Sequence, residues 1–260
     1  MTSLSVLGIP VTGQQVERWL GYYCPGPQPF RTADLTQDQT QRVPTVDAVE
    51  VTDELRDTFF MYGGGPWTWL SENQHADLQP GLRTLLGAER RRRMHPKPAP
   101  AWPSDPMISA KLVRWMEAGA RPSLHALARS ELRRASAGPL PRAAELAGTF
   151  PARSGPNCFG AVMAAAGQSV EDDWIQLDQF QTWLDAATTP DRTRAGDEGG
   201  QVLVWRQDGD LAHAAVTLPG GWSLHKQSQS WSNPIGVWTT DEIISSWRLL
   251  GVRLSRYQLL

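Results

Sequence analysis

The hydrophobic pattern of the C-terminal part of the chain is that of a sheet built from short strands. An almost uninterrupted apolar run predicts a buried strand at Gln201–Trp205. Two more strands are predicted at Leu211–Leu218 and Trp222–Gln229, with a tight reversal at Pro219–Gly221 between them. Hydrophobic and polar residues alternate once more at Val252–Leu259, which predicts a closing strand. Strands joined by short turns run in opposite directions, so the sheet is expected to be antiparallel.

Elsewhere the apolar residues recur at the three- and four-residue spacing of amphipathic helices. The predicted helices lie at Thr52–Met61, Met107–Ala118, Ser123–Ala135, Glu171–Ala187, and from Cys158 to a stop at Gly167. The helix that begins at Cys158 is short and rich in alanine, and Ala161, Val162 and Ala165 share a face with the cysteine. Such a face of small side chains can press closely against a sheet.

A proline-rich break separates two regions of different character. The sequence Gly138-Pro139-Leu140-Pro141 interrupts the helical pattern and places a domain boundary near residue 145. Residues 1–144 are then a mainly helical, loop-rich N-terminal region of unknown role. Residues 145–260 are a domain in which a helix packs on the antiparallel sheet. The fold class that follows is α+β.

Cys158 is the candidate nucleophile. It follows Asn157, a good helix cap, and therefore occupies the first turn of its helix, where unpaired backbone N–H groups and the helix dipole favour an anion. We expect this position to lower its thiol pKa below the ordinary value of about 8.5. The structural alternative is a small buried core residue, as free cysteines often are. Cys24 stands among prolines and is read as structural.

His213 and His225 are the candidate partners of Cys158, and the turn between their strands decides whether they meet. A two-residue Gly220-Gly221 turn would place the two histidines on opposite faces of the sheet. A three-residue Pro219–Gly221 loop pairs the flanking strands so that both histidines share a face, within reach of a ring-to-ring hydrogen bond. Proline suits the first turn position and Gly221 the left-handed position, so the sequence favours the second register.

These segments resemble the NlpC-type papain-like cysteine peptidases, a family of bacterial cell-wall endopeptidases and amidases. The family motif around the nucleophile is of the type Asp-Cys-Ser-Gly-Phe-Val, which stands here as Asn157-Cys158-Phe159-Gly160-Ala161-Val162. The histidine strand of the type His-Val-Gly-Ile-Tyr-Leu corresponds to His213-Ala214-Ala215-Val216-Thr217-Leu218. The third member matches His225 on the next strand. The flanking residues Asn157 and Phe159 depart from the family pattern.

The resemblance implies a papain-like core and cysteine-dependent amide hydrolysis without a cofactor or a metal. Cys158 would attack an amide carbonyl, His213 would act as the base and His225 would orient its ring. The backbone N–H of Cys158 would serve in the oxyanion hole. The implied substrate is a peptide or a peptidoglycan fragment.

Three other readings of the same residues stay open. An acyltransferase or thioesterase on the same fold would use the same residues. A catalytically silent binding module would fit the altered flanks of Cys158. A zinc site could combine Cys158, His213, His225 and Cys24, although the chain lacks the closely spaced ligand pair that zinc sites favour.

Charge and hydropathy bear on partners and location. The net charge of −2 gives no general attraction to nucleic acid or to a membrane. Residues 34–77 carry nine acids and two bases, whereas residues 81–142 carry thirteen bases and four acids, with Arg90–Arg93 at the centre. This asymmetry could bind an anionic polymer, but we favour two halves that complement each other. The N-terminus shows no secretory signal pattern, so a cytoplasmic location is expected, with export by a signal-less route left open. A protein partner of the N-terminal region also stays open.

Overall fold

The structure is a computed structural model that describes residues 4–44, 49–191 and 198–260 of the 260-residue chain. It divides the chain into two units, residues 1–122 and residues 123–260. Within the described residues, no helix combines the length and the hydrophobicity that a membrane span requires.

The first unit consists mostly of helices, with two small antiparallel strand pairs. Its elements are β1 (Ser5–Val6), β2 (Ile9–Pro10), α1 (Gly13–Tyr23), β3 (Gln28–Arg31), α2 (Gln37–Gln41), α3 (Asp53–Phe59), β4 (Trp67–Leu70), α4 (Glu72–Asp77), α5 (Pro80–Met94) and α6 (Ile108–Glu117). Strand β1 pairs with β2, and β3 pairs with β4. The predicted helices at Thr52–Met61 and Met107–Ala118 are confirmed as α3 and α6, the former capped by the Thr52 side chain as its sequence indicates.

The arginine run lies on α5, and half of it is turned into the first unit. Arg90 is buried, with its guanidinium 3.5 Å from the centre of the Phe30 ring and donating to Gln28 Oε1 at 2.8 Å. Arg93 pairs with Glu89 on the same helix, and Arg92 pairs with Asp34 from the acidic segment. Of these contacts, the Arg92–Asp34 pair joins the basic segment to the acidic one, as expected if the two segments complement each other.

The second unit contains the predicted antiparallel sheet. Its elements are α7 (Arg129–Ser136), α8 (Ala143–Leu146), α9 (Cys158–Ala165), α10 (Leu177–Ala187), β5 (Thr188–Pro190), β6 (Gln201–Gln207), β7 (Asp210–Leu218), a 3₁₀ turn (Pro219–Gly221), β8 (Trp222–Lys226), β9 (Ile235–Thr239), α11 (Thr240–Ser246) and β10 (Val252–Leu259). The strand order is β5-β10-β6-β7-β8-β9, and every neighbouring pair is antiparallel. This mixture of helices and one antiparallel sheet is compatible with the α+β class.

The boundary between the units lies earlier than residue 145, where the proline-rich break placed it. Gly138–Pro141 joins α7 to α8, and Leu132 and Ala143 on these helices are buried in the same core as α9. At the start of the unit, Ser123 Oγ accepts a hydrogen bond from the backbone N–H of Val237 at 3.1 Å. The break is thus a turn inside the second unit, because the helices on both sides of it pack on one core.

The two faces of the sheet carry separate apolar clusters. Helices α7, α8, α9 and α10 pack with the first face in a large core that includes Val204, Ala214, Val216, Leu224 and Val237. The second face holds a smaller cluster of Leu203, Trp205, Ala215, Trp238 and Ile243. Successive side chains of a strand point to opposite faces, so Ala214 and Ala215 enter different clusters. Helix α10 begins at Leu177, later than the predicted Glu171.

Candidate active site

The start of α9 is fixed by the side chain of Asn157. Asn157 Oδ1 accepts a hydrogen bond from the backbone N–H of Gly160 at 3.0 Å, which caps the helix as predicted. Its Nδ2 donates to the backbone carbonyl of Ile175 at 2.8 Å. An amide makes both bonds because it carries an acceptor and a donor. Asn157 therefore ties the helix start to the segment before α10 and places Cys158 on the first turn.

The predicted three-residue turn between β7 and β8 is confirmed. Leu218 pairs with Trp222 and Val216 with Leu224, which leaves Pro219–Gly221 as the loop. Gly220 and Gly221 both adopt positive φ angles, +72° and +80°, that glycine accommodates without strain. This register is the one in which His213 and His225 share a face.

The two histidines meet in a buried hydrogen bond. His213 Nε2 lies 2.7 Å from His225 Nδ1, and the two rings stand edge to face with their centres 5.0 Å apart. Both side chains are almost inaccessible to water, with 1% and 3% of their surface exposed. One nitrogen of the bond must donate and the other must accept, so the bond requires complementary tautomers.

Tryptophan rings enclose the histidine pair. The indole of Trp247 stacks on His213, with the ring centres 4.3 Å apart and the planes 12° from parallel, and Trp205 contacts the same imidazole. Trp238 stands edge-on to His225 at 4.9 Å. Burial lowers the pKa of His213 well below its usual value and lowers that of His225 to about 3, so the pair is neutral at pH 7.

Cys158 lies on the other face of the sheet from the histidine rings. It belongs to the core that contains Ala214, whereas His213 contacts Trp205 of the second cluster. Among the described residues, no hydrogen bond joins Cys158 Sγ to either imidazole. The sulfur instead lies beside the backbone of Ala214, the residue that follows His213. A hydrogen bond from this backbone favours the thiolate form of Cys158. The structure thus joins the two histidines but does not assemble the predicted Cys158–His213 contact, because consecutive residues of β7 face opposite ways.

The expected lowering of the Cys158 thiol pKa is not what the structure shows. Burial raises the pKa of Cys158 to about 11, and hydrogen bonds from the backbone of Ala214 and from the helix start offset burial only in part. Burial likewise raises the pKa of Cys24 to about 11, and its Sγ donates to the carbonyl of Leu20. Burial therefore raises the pKa of both thiols, contrary to the expectation that the helix start lowers that of Cys158.

A small cavity of about 60 Å³ lies beside the start of α9. Its lining includes Asn157, Ala161, Glu171, Asp172 and Lys226. Lys226 was missed from the sequence, although the alternation of β8 gives the signal: it stands two residues after the apolar Leu224 and so shares its face. A lysine on the core side of a strand is unusual and marks a residue to explain.

The structure does not assemble the zinc alternative. Within the residues described, no three His, Cys, Asp or Glu side chains come close enough together to hold a metal ion. The set Cys158, His213, His225 and Cys24 is thus not gathered into one ligand cluster.

Comparison with protein-family profiles, with curated proteins and with solved structures gives no match. The resemblance to the NlpC-type peptidases therefore rests on the sequence motifs quoted above.

Proposed function

We propose that the second unit is a papain-like, cysteine-dependent amide hydrolase of the NlpC type. The observation that carries the proposal is the buried hydrogen bond between His213 and His225, with the sulfur of Cys158 beside the next residue of the same strand. Nucleophilic catalysis requires a thiol, a base and a group that orients the base, and the second unit supplies all three residue types on α9, β7 and β8. In this structure the side chains of Cys158 and His213 lie on different faces of the sheet, so proton transfer between them requires the packing around β7 to change first.

The hydrogen bond assigns the nitrogens of His213 in this reaction. Its Nε2 is engaged with His225, which leaves Nδ1 as the only ring nitrogen that can take the thiol proton. His213 must then carry its hydrogen on Nε2 and donate it to Nδ1 of His225. His225 holds the tautomer and the orientation of the base.

The reaction runs through a thioester. His213 takes the proton of Cys158, the sulfur attacks the amide carbonyl, and the backbone N–H of Cys158 stabilises the resulting oxyanion. The C–N bond breaks as His213 returns the proton to the leaving amine. Water, deprotonated by His213, then attacks the thioester and releases the carboxylic acid and the free thiol. The resemblance supports peptides of the peptidoglycan type as substrates. We expect this hydrolase to act in the cytoplasm.

The test is amide hydrolysis by the full chain, with muropeptides and generic peptides compared as substrates. We expect Cys158→Ala to abolish turnover and His213→Ala to lower kcat by about 10²–10⁴-fold. His225→Asn should cost less than His225→Ala, because asparagine can still hydrogen bond to the base. Cys24→Ala is the matched control and should keep full activity. Turnover retained by Cys158→Ala, or losses that follow unfolding in thermal melts, would overturn the assignment.

Three observations favour a second candidate, a binding module without turnover. The thiol is buried, its pKa is raised, and its side chain and that of His213 lie on different faces of the sheet. This candidate predicts that substrate peptides bind equally well to the wild type and to Cys158→Ala. It also predicts that no acyl adduct of Cys158 appears by mass spectrometry.

A further inference from the structure

Lys226, the last residue of β8, is a cation buried on the core side of the sheet. Its side chain is fully inaccessible to water, and its Nζ donates to the backbone carbonyls of Ser228 and of Ser230, the latter at 2.8 Å. Taking an ammonium group out of water is costly even when it is hydrogen bonded. A neutral side chain would avoid that cost, so the presence of a lysine at this buried position needs an explanation.

The position of Lys226 connects it with Cys158. Strand alternation places Lys226 on the face of Leu224, and Leu224 belongs to the same core as Cys158. Lys226 also lines the small cavity together with Asn157 and Ala161, which lie on either side of Cys158 in the chain. The cation therefore faces the helix start that carries the thiol.

We propose that Lys226 is a positioning residue whose buried positive charge stabilises the thiolate of Cys158. The inference rests on the proposed function, because it deepens the role of Cys158 as the nucleophile. A cation beside a cysteine favours the thiolate, which is the nucleophilic form. In this structure neither imidazole hydrogen bonds to the thiol, and Lys226 supplies the positive charge on the side of the sheet where the sulfur lies.

The other charges around the cavity are compatible with this role. The charge of Lys226 lowers the pKa of Cys158 against the larger, opposite effect of burial. Glu171 and Asp172 also line the cavity, and Arg142 binds both carboxylate oxygens of Glu171 at 2.7 Å. On the flanking strands β7 and β9, this face carries Ala214, Val216, Ile235 and Val237.

The test is the rate of alkylation of Cys158 by iodoacetamide as a function of pH, in the full chain with Cys24→Ala as background. Lys226→Gln removes the charge but keeps an N–H donor, Lys226→Arg keeps both, and Lys226→Met removes both. We expect Gln and Met to raise the thiol pKa by about one unit, which makes alkylation about tenfold slower at neutral pH. Lys226→Arg should restore the wild-type profile.

A purely structural role gives a different pattern. If Lys226 only holds the carbonyls of Ser228 and Ser230, Lys226→Gln should match the wild type while Lys226→Met alone changes, and this result would overturn the proposal. An unchanged pH profile in every variant would overturn it as well. Should Lys226→Met not fold, the comparison of Gln with Arg still decides, because both keep hydrogen-bond donors.

A further pair of variants leaves Lys226 in place. Cys158→Asp puts a fixed acid at the thiol position and Cys158→Asn is its neutral isostere. The quantity to compare is the ratio of the folding constant of the Asp variant to that of the Asn variant. We expect this ratio to fall at least tenfold when Lys226→Gln is added. No coupling in this cycle would refute the proposal.

Alkylation needs no turnover, so the two proposals fail separately. If the pKa of Cys158 changes with the charge at position 226 but the protein hydrolyses no amide, only the proposed function is contradicted. If the protein hydrolyses amides but the pKa of Cys158 does not change with that charge, only the role of Lys226 is contradicted.

Discussion

His213 Nε2 and His225 Nδ1 lie 2.7 Å apart on adjacent strands, inside a shell of tryptophan rings. Only one hydrogen can occupy this bond, so protonation of both rings would set two N–H groups against each other. The pair is therefore stable in its neutral form, and burial keeps both pKa values below that of an exposed histidine.

The first prediction is a loss of stability in mild acid. In the unfolded chain a histidine has a pKa of about 6.5, whereas that of folded His225 is about 3. The contribution of His225 to the free energy of unfolding is therefore fully present above about pH 6.5. It is lost as the pH decreases towards the folded pKa, because the unfolded chain binds a proton that the folded chain does not. Each buried histidine should lower the free energy of unfolding by about 1.4 kcal/mol per pH unit in that window.

Urea unfolding between pH 7 and pH 4 measures this slope. His225→Asn removes one titrating group, so its slope should be shallower than that of the wild type by about 1.4 kcal/mol per pH unit. The half-buried His75 and His125 titrate in both proteins and cancel in the difference. Equal slopes for the two proteins would show that His225 is not held neutral by the fold.

The second prediction concerns Asn157, where the family motif has aspartate. Asn157→Asp keeps the helix cap but removes the donor to the Ile175 carbonyl, so we expect a loss of about 1–3 kcal/mol at neutral pH. A protonated carboxyl can donate to that carbonyl, which raises the folded pKa of the new acid. Relative to the wild type, the loss should therefore shrink as the pH falls from the raised folded pKa towards the unfolded value of about 3.9, and it should be smallest below that value. A variant as stable as the wild type at pH 7 would show that the Ile175 bond contributes little.

The third prediction concerns Gly160, the third residue of α9. A Cβ at this position would lie 3.2 Å from the carbonyl oxygens of both Asp173 and Val170. Gly160→Ala should therefore destabilise the protein by about 1–3 kcal/mol, although alanine is the better helix former. Gly21→Ala in α1 is the matched control, because a Cβ there meets no atom within 4 Å and should stabilise the helix. Equal effects of the two substitutions in thermal melts would contradict the close approach at Gly160.

The fourth prediction separates the structural arginines from the exposed ones. Arg90→Lys loses the fork that binds Gln28 Oε1 and the Pro29 carbonyl together, so we expect a loss of about 2–4 kcal/mol. Arg91→Lys, on an exposed position of the same helix, should change the free energy of unfolding by less than about 0.5 kcal/mol. Urea unfolding of both variants checks this. If Arg90→Lys leaves the free energy of unfolding unchanged, the arginine run would again be a candidate surface for an anionic polymer.

The sequence alone determined the features that depend on neighbours along the chain. The Asn157 cap is local, and so is the turn at Pro219–Gly221, whose odd length sets the pairing of β7 with β8. Since strand pairing has a period of two, that turn was enough to bring His213 and His225 onto one face. The strands predicted from hydrophobic pattern follow for the same reason, because alternation and apolar runs are properties of short segments.

Only the tertiary structure decided how these segments pack. It placed α7 and α8 in the second unit, so that the break at Gly138–Pro141 is no domain boundary. It seated α9 on the face of Ala214, which separates Cys158 from the histidine rings, and it buried Lys226 beside the same helix start. The thiol pKa also followed burial and not helix position, because desolvation depends on every residue packed around the sulfur and not on its neighbours in the chain.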